Sequence, residues 1–296
     1  MPVPTFPRLL PTAALLAAVA LLAIALLPSG AGAEPQAPDR ELSVMTYNIH
    51  AGIGEDDRLD LQRIADEIRS SGVEVAGLQE VDRHWSARSD FVDQAQWLAE
   101  ELDMHVVYGA NLDRDPLSPG EPRRQYGTAI LSEYPIQSSS NTLLPRPEEG
   151  EQRGLLEAVI NVRGVRVRIA NTHLQHNSSV ERAAQVDRIM ELLADSDEPV
   201  VLLGDLNARP GDAELQPLST RYDDAWLEGG EGDGFTLSAA DPYARIDYIF
   251  VSREIVVESA EVRDTLASDH LPVVAELELP GRLVGRPEAR AATARD

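Results

Sequence analysis

Branched aliphatic runs of strand length recur along this chain, and several of them stop abruptly at polar side chains. Val200-Val201-Leu202-Leu203 is followed by Gly204-Asp205-Leu206-Asn207. Such a run suits a buried strand whose C-terminal end opens into a site. Asp205 and Asn207, two residues apart in extended backbone, point the same way, and Gly204 lets another backbone come close. Leu42 to Tyr47 alternates and ends at Asn48-Ile49-His50, and Val73 to Leu78 leads directly into Gln79-Glu80. A hairpin is predicted over Leu155 to Ile169, with Asn161-Val162-Arg163-Gly164 at its turn and Arg153-Gly154 just ahead of it. Its second strand runs into Asn171-Thr172-His173. Further strands are read at Met104 to Tyr108, Tyr126 to Ser132, Arg245 to Val251 with Asp247 near its start, and Ile255 to Val262. A last one begins at Leu271, behind Ser268-Asp269-His270.

Helical periods alternate with these strands. Asp60 is the expected cap of a helix over 61–70 that puts Leu61, Ile64, Ala65 and Ile68 on one face and stops at Gly72. Val92, Ala95, Leu98 and Leu102 mark a second helix, and a third is expected over 179–194, where Ser178 and Glu181 fit a capping box. A short helix is expected near Glu214. Asn111 to Gln125, punctuated by Pro116, Pro119, Gly120 and Pro122, reads as a long loop whose Arg123-Arg124 solvates the surface or reaches a phosphate.

The first residues do not share this pattern. Arg8, an apolar run from Leu9 to Leu27 and the small residues Ala31-Gly32-Ala33 are the parts of a secretory signal peptide over 1–33. The alternative is an uncleaved membrane anchor, since an apolar run of about 19 residues spans a bilayer. A linker over 34–41, one α/β domain over 42–279 and a disordered tail over 280–296 complete the expected organisation. The protein is read as secreted or extracytoplasmic, and as a monomer without a stable protein partner. The absence of Cys excludes disulfides, thiolate metal sites and Cys nucleophiles. Against 50 acidic residues stand 26 basic ones, all Arg, for a net charge of −24. Such a surface repels polyanions and weighs against a nucleic-acid substrate, although a local Arg cluster and a bound cation could still hold phosphate.

Asn48, Glu80, His173, Asp205, Asn207, Asp247, Asp269 and His270 all fall at or near expected strand ends. In α/β folds, sites gather outside such ends. Two unit charges about 4 Å apart repel by roughly 4 kcal/mol at an effective dielectric of 20, so converging carboxylates call for a cation. Carboxylate and amide oxygens without thiolates favour Mg²⁺, with Mn²⁺ or Ca²⁺ as substitutes, and fit Zn²⁺ poorly. Taken singly, a Glu after a strand is solvated, a His satisfies a local hydrogen bond and an Asp before His makes a turn. The recurrence of one pattern along the chain is what separates these residues from that ordinary reading.

Six motifs in order, Tyr47-Asn48-Ile49-His50, Leu78-Gln79-Glu80, Asn171-Thr172-His173-Leu174, Gly204-Asp205-Leu206-Asn207, Arg245-Ile246-Asp247-Tyr248-Ile249 and Ser268-Asp269-His270, resemble the endonuclease/exonuclease/phosphatase superfamily. The resemblance spans Leu42 to Leu279. It implies the DNase I-like fold, a four-layer α/β sandwich of two packed mixed sheets flanked by helices. It also implies a divalent-metal-dependent phosphoesterase that hydrolyses phosphodiester or phosphomonoester bonds by metal- and His-assisted attack of water. On this resemblance Glu80, Asn48 and Asp269 would hold the metal, and Asp205 and Asn207 would orient water and a phosphate oxygen. His270, held by Asp247, would act as general base or as a stabiliser of the transition state. His173 would bind the phosphate or assist the leaving group, Arg153 would bind the phosphate, with Glu157 as a competing partner for Arg153, and His50 would line the site or make a structural hydrogen bond. Charge favours a small or lipid phosphodiester. The alternatives are an extracellular endonuclease or exonuclease on DNA or RNA, and a non-catalytic, metal-stabilised binding module.

Overall fold

Near-continuous aliphatic runs set the architecture, because strands with two apolar faces must be covered on both sides. The computed structural model describes residues 40–148 and 150–281. The expected signal peptide, nearly all of the linker and all but the first residues of the tail lie outside the described residues.

Two six-stranded sheets form the centre. From edge to edge the first contains β11 (Val256–Val262), β12 (Val273–Leu279), β1 (Arg40–Asn48), β2 (Val75–Arg83), β4 (Arg124–Ser132) and β3 (His105–Arg114). The second contains β5 (Ile136–Leu143), β6 (Gly154–Val162), β7 (Val165–His173), β8 (Val200–Asp205), β10 (Asp247–Val251) and β9 (Asp223–Asp224). Each sheet has a parallel pair at its middle, β1 with β2 and β7 with β8, and its other neighbours are antiparallel. A parallel pair needs a crossover, and a helix supplies it in both: α1 (Leu61–Ser71) in the first and α3 (Ser179–Leu192) in the second.

Residues of both sheets, among them Leu42, Val44, Ile130, Ile160, Ile169, Leu203 and Ile249, pack into one core between the sheets. The outer face of the first sheet is covered by Ile64 and Ile68 of α1 and Leu98 of α2 (Gln94–Leu102). The second is covered by Val186 and Ile189 of α3 and Leu218 of α4 (Gln216–Arg221). The layers are therefore helix, sheet, sheet, helix, as the resemblance implied.

Local signals account for much of this. Asp60 accepts from the Arg63 N–H and Gly72 closes α1 at φ 71°. The β6–β7 hairpin turns on Arg163 and Gly164, both at positive φ. Three expectations are corrected and one strand is new. Ser178 caps α3 through the Glu181 N–H, but the buried Glu181 carboxylate does not return to Ser178: it accepts from the backbone N–H of Glu148 and Gly150 and from Gln175. The long loop over 111–125 shrinks, because β3 runs to Arg114 and pairs it with Arg124. Arg123 is bound to Asp113 and Asp115, and Arg124 Nε donates to the Asp115 carbonyl. Glu157 pairs with Arg168 at 2.9 Å rather than with Arg153, which lies 2.9 Å from Glu151. β5 was not expected at all, since Ser138-Ser139-Ser140-Asn141 has no apolar alternation and lies on a solvent-facing edge.

Candidate catalytic site at the strand ends

Strand parity carries the polar residues inward. In β1, Leu42 and Val44 face the other sheet while Met45 and Tyr47 face the helices, so Thr46 and Asn48 continue the inner row. Val165, Val167 and Ile169 set the inner row of β7, which ends in Asn171 and His173. Val201 and Leu203 lead in the same way to Asp205, and Ile249 and Val251 place Asp247 inward at the start of β10. The apolar core thus gives way at one end to a cluster of polar side chains from both sheets.

Glu80 breaks this rule. In β2, Val75 faces inward and Ala76 and Leu78 face the helices, so regular alternation would turn Glu80 outward. A bulge lies between Leu78 and Val81 opposite β4, and Glu80 sits there at φ 56°. Leu78 and Val81 both face the helices, which leaves Gln79 and Glu80, two consecutive residues, on the inner side. The left-handed backbone at Glu80 is a strained conformation for a non-glycine residue, and it aims the carboxylate at the site.

The sheets are tied together directly beneath the cluster. Gln79 Nε2 donates to Asn171 Oδ1 (2.7 Å) and Thr46 Oγ1 (3.1 Å), and Asn171 Nδ2 donates to the carbonyls of Leu78 and Ala129. Gly77 makes this approach feasible, since a Cβ there would lie 2.8 Å from Leu203 Cδ1.

Asp205 is the hub. Its Oδ1 accepts from the Asn207 N–H at 2.9 Å and its Oδ2 from Asn48 Nδ2 at 3.1 Å. His173 Nε2 lies 3.4 Å and His270 Nε2 3.8 Å from Oδ2. The Asn48 amide also donates to Glu80 Oε1 at 3.2 Å, and its Oδ1 accepts from the His50 N–H. In this conformation Asn48 bridges two carboxylates through nitrogen and does not present its oxygen to them. Asn207, at φ 50°, donates its amide to the Leu174 carbonyl. His270 Nδ1 lies 2.9 Å from Asp247 Oδ2, which also accepts from Thr236 Oγ1 at 2.6 Å. Asp269, with its side chain 41% exposed, lies on the open side, 3.7 Å from His50 Nδ1. His50 Nδ1 is within 3.2 Å of the Ile53 carbonyl, so its contact here is structural. Arg153 is buried, and its Nε has no hydrogen-bond partner.

Burial and charge divide the histidines. Burial pushes the His173 imidazole well below its ordinary value, and Arg153 and His270 add to this. His270 is also pulled down by burial, but the Asp247 charge and hydrogen bond, with Asp205 and Asp269, outweigh that and push it up to about 10. Burial, reinforced by the Asp247 charge, raises the Asp205 carboxyl against the opposing pull of His270, Asn48 and the Asn207 N–H. His173 is therefore neutral and His270 cationic at neutral pH.

The donor set fits a divalent cation. Ligand atoms of Asp205, Asp247 and His270 lie within 4.8 Å of one another, but Asp247 Oδ2 is already shared by Thr236 and His270. Glu80 and Asp269, half-buried hard oxygen donors facing the open side, retain more freedom to ligate. All the residues singled out by the sequence, including Asn48, His173, Asn207 and Arg153, come to this end of the molecule. Sequence reasoning did not assign Thr236, the Gln79–Asn171 tie or the bulge at Glu80. Gln79 and Asn171 stood inside quoted motifs, whereas Thr236 followed an irregular Gly- and Asp-rich stretch with no signal of its own.

A model of the Endonuclease/Exonuclease/phosphatase family matches residues 45–270. The solved endonuclease/exonuclease/phosphatase of Beutenbergia cavernae DSM 12333 is similar at a TM-score of 0.69 and 30% identity, over 83% of this chain and 73% of that one. The Escherichia coli K12 protein YbhP, itself uncharacterized, is 26% identical over 80% of this chain and 96% of its own length. Protein cwh43 of Schizosaccharomyces pombe is 30% identical over 63% of this chain, which spans only 18% of cwh43.

Proposed function

Because this chain belongs to the Endonuclease/Exonuclease/phosphatase family, we propose that it is an exported, Mg²⁺-dependent phosphoesterase acting on small or lipid phosphodiesters by direct attack of water. The observation that carries this reading is the convergence of Glu80, Asn48, His173, Asp205 and the Asp247–His270 pair at one end of the two sheets. A divalent cation at Glu80 and Asp269 would draw charge from the phosphate oxygens and lower the barrier to attack.

The protein groups take distinct parts. Asp205, raised by burial and fixed by Asn48 and the Asn207 N–H, orients the water and receives its proton. His270, kept cationic by Asp247, donates toward a phosphate oxygen and stabilises growing negative charge, which favours the stabiliser role over that of general base. His173, buried and neutral, offers an N–H to the phosphate or the leaving oxygen, beside the buried Arg153 guanidinium. The net charge of −24 supports a compact phosphodiester over a polyanion, and the leader-like residues 1–33 support export.

Hydrolysis of bis-p-nitrophenyl phosphate with Mg²⁺, Mn²⁺, Ca²⁺ or EDTA tests the reading. Turnover that requires the cation is expected. Cation-independent turnover, or none under any condition, contradicts it. Running plasmid DNA, RNA, sphingomyelin and inositol phosphates through the same assay separates the substrate classes, and faster cleavage of nucleic acid than of every small ester would move the protein to the nucleases.

A further inference from the structure

A second feature lies at the rim of the site. Beyond Glu80, β2 continues to Arg83 and hands over to a loop, residues 84–93, that is built rigidly. Buried Asp82 accepts from Arg88 Nε and Nη2 and from Ser89 Oγ, at 2.7 to 2.9 Å. The Phe91 N–H donates to the Ser86 carbonyl, and the Phe91 carbonyl is 2.8 Å from His84 Nδ1. Inside this frame His84, Asp90 and Phe91 all adopt positive φ, at 52°, 50° and 56°. Left-handed backbone is unusual for any of them and strained for a bulky aromatic.

The strain does not serve burial, because Phe91 remains 40% exposed. Phe91 instead lines a cleft of about 330 Å³ together with Leu117, which is 65% exposed, and Pro122. His84, Glu121 and Arg124 supply the polar lining. The volume is at the small end of the roughly 300–1,000 Å³ typical of small-molecule sites, enough for a single ring or a medium-length alkyl chain. A rigid loop that holds an apolar ring outward at a cost in backbone energy points to a ligand contact.

The cleft adjoins the strands that carry the site: Arg88 of its loop and Tyr126 of β4 both lie within electrostatic reach of Glu80. His84 follows Glu80 by four residues, one past the end of β2, and so lies at most roughly 13 Å from it along the backbone. On β4, Arg124 in the cleft shares a face with Tyr126, whose buried ring lies 5.9 Å from that of Trp85. We propose that this cleft is a specificity subsite for the apolar alcohol portion of the substrate, with Phe91 and Leu117 as its walls, so that the preferred substrate is a phosphoester of a medium-length aliphatic alcohol. The assignment rests on the phosphoesterase reading for what is cleaved, but not for what is bound.

Two measurements keep the readings apart. The first is binding of octylphosphonate and methylphosphonate, which have no ester bond, by calorimetry in Mg²⁺ with the octyl compound below its micelle threshold. Octylphosphonate is expected to bind about tenfold or more tightly, the gain of burying a few methylenes in a half-open cleft. That ratio should fall toward one in Phe91→Ala and in Leu117→Ala, with methylphosphonate affinity unchanged. A wild-type ratio near one, or a ratio that survives both substitutions, overturns the subsite. The second is kcat/KM for methyl and octyl p-nitrophenyl phosphate, where the same variants should remove the octyl advantage and leave the methyl ester alone. Absence of turnover with an intact octyl preference in binding would refute the phosphoesterase reading and keep the subsite. Because both walls are exposed, circular dichroism is expected to show folded variants.

Discussion

The two sheets share one plan and use it differently. In each, an antiparallel pair flanks a central parallel pair on either side, and each parallel pair is joined by a helix and ends in the site. The second sheet delivers His173, Asp205 and Asp247 from regular, fully buried strand ends. The first delivers Glu80 from a bulge, half-buried, and the turn ahead of its β12 carries Asp269, half-buried as well. One half is thus a closed set that, together with His270 from the turn ahead of β12, is engaged by protein partners before any ligand arrives. The other is an open set of oxygen donors with one amide, Asn48, between it and Asp205. The lesson is that identical topology leaves function to burial: the closed half fixes protonation states, and the open half is free to take a cation.

The largest effects come from cutting each half. His270→Ala and Asp205→Asn are expected to lower kcat on bis-p-nitrophenyl phosphate by roughly 10²- to 10⁴-fold, and no Mg²⁺ concentration should restore it. Glu80→Gln is expected to lose comparable activity at low Mg²⁺ and to regain part of it as Mg²⁺ is raised. If the rescue fell on Asp205→Asn instead, the roles of the two halves would be exchanged.

A pH series sharpens the contrast without catalysis. His270 is raised in the folded protein, so its stabilising contribution is complete below its ordinary value of 6.5 and is lost as pH climbs through about 10. Asp205 is raised as well, to about 7; a raised acid costs stability once ionised, so its own contribution declines earlier, between about 3.8 and 7, and its charge then helps hold His270 up. The melting temperature of EDTA-treated protein should therefore fall between pH 6.5 and 10. Asp205→Asn should flatten that fall, and Glu80→Gln should leave it. A profile that Glu80→Gln alters most would place the coupled charges in the open half.

The smallest effect concerns Thr236, which is buried and donates to Asp247 from outside the strands. Thr236→Val removes one hydrogen bond to a charged group, a loss of about 1.5–3 kcal/mol at most, and should lower kcat by roughly tenfold with KM little changed. Thr236→Ser should restore it. A KM effect without a kcat effect would make Thr236 a packing residue only.

How far the sequence reached can be judged at particular residues. Asn48, His173, Asp205 and Asp247 were legible because each extends the alternation of the aliphatic strand that carries it, and alternation is a property of the backbone alone. Cap residues such as Asp60 and Gly72 were legible for the same local reason. β5 was not, since an edge strand of serines buries too little to leave a pattern. Nor was the failed half of the Ser178–Glu181 capping box, where a buried carboxylate took two backbone N–H donors from the distant 148–150 segment and a third donor from Gln175.

By itself, then, the sequence determined the aliphatic strands, their inner faces and the chemical character of what they end in. The tertiary structure alone decided that Glu80 turns inward, because the bulge depends on pairing with β4. It also decided that His270 is cationic and His173 neutral, because those states depend on which charges burial brings within a few ångströms. Period and propensity act along the chain, whereas register, bulges and electrostatic coupling act across it, and the site is made of the second kind.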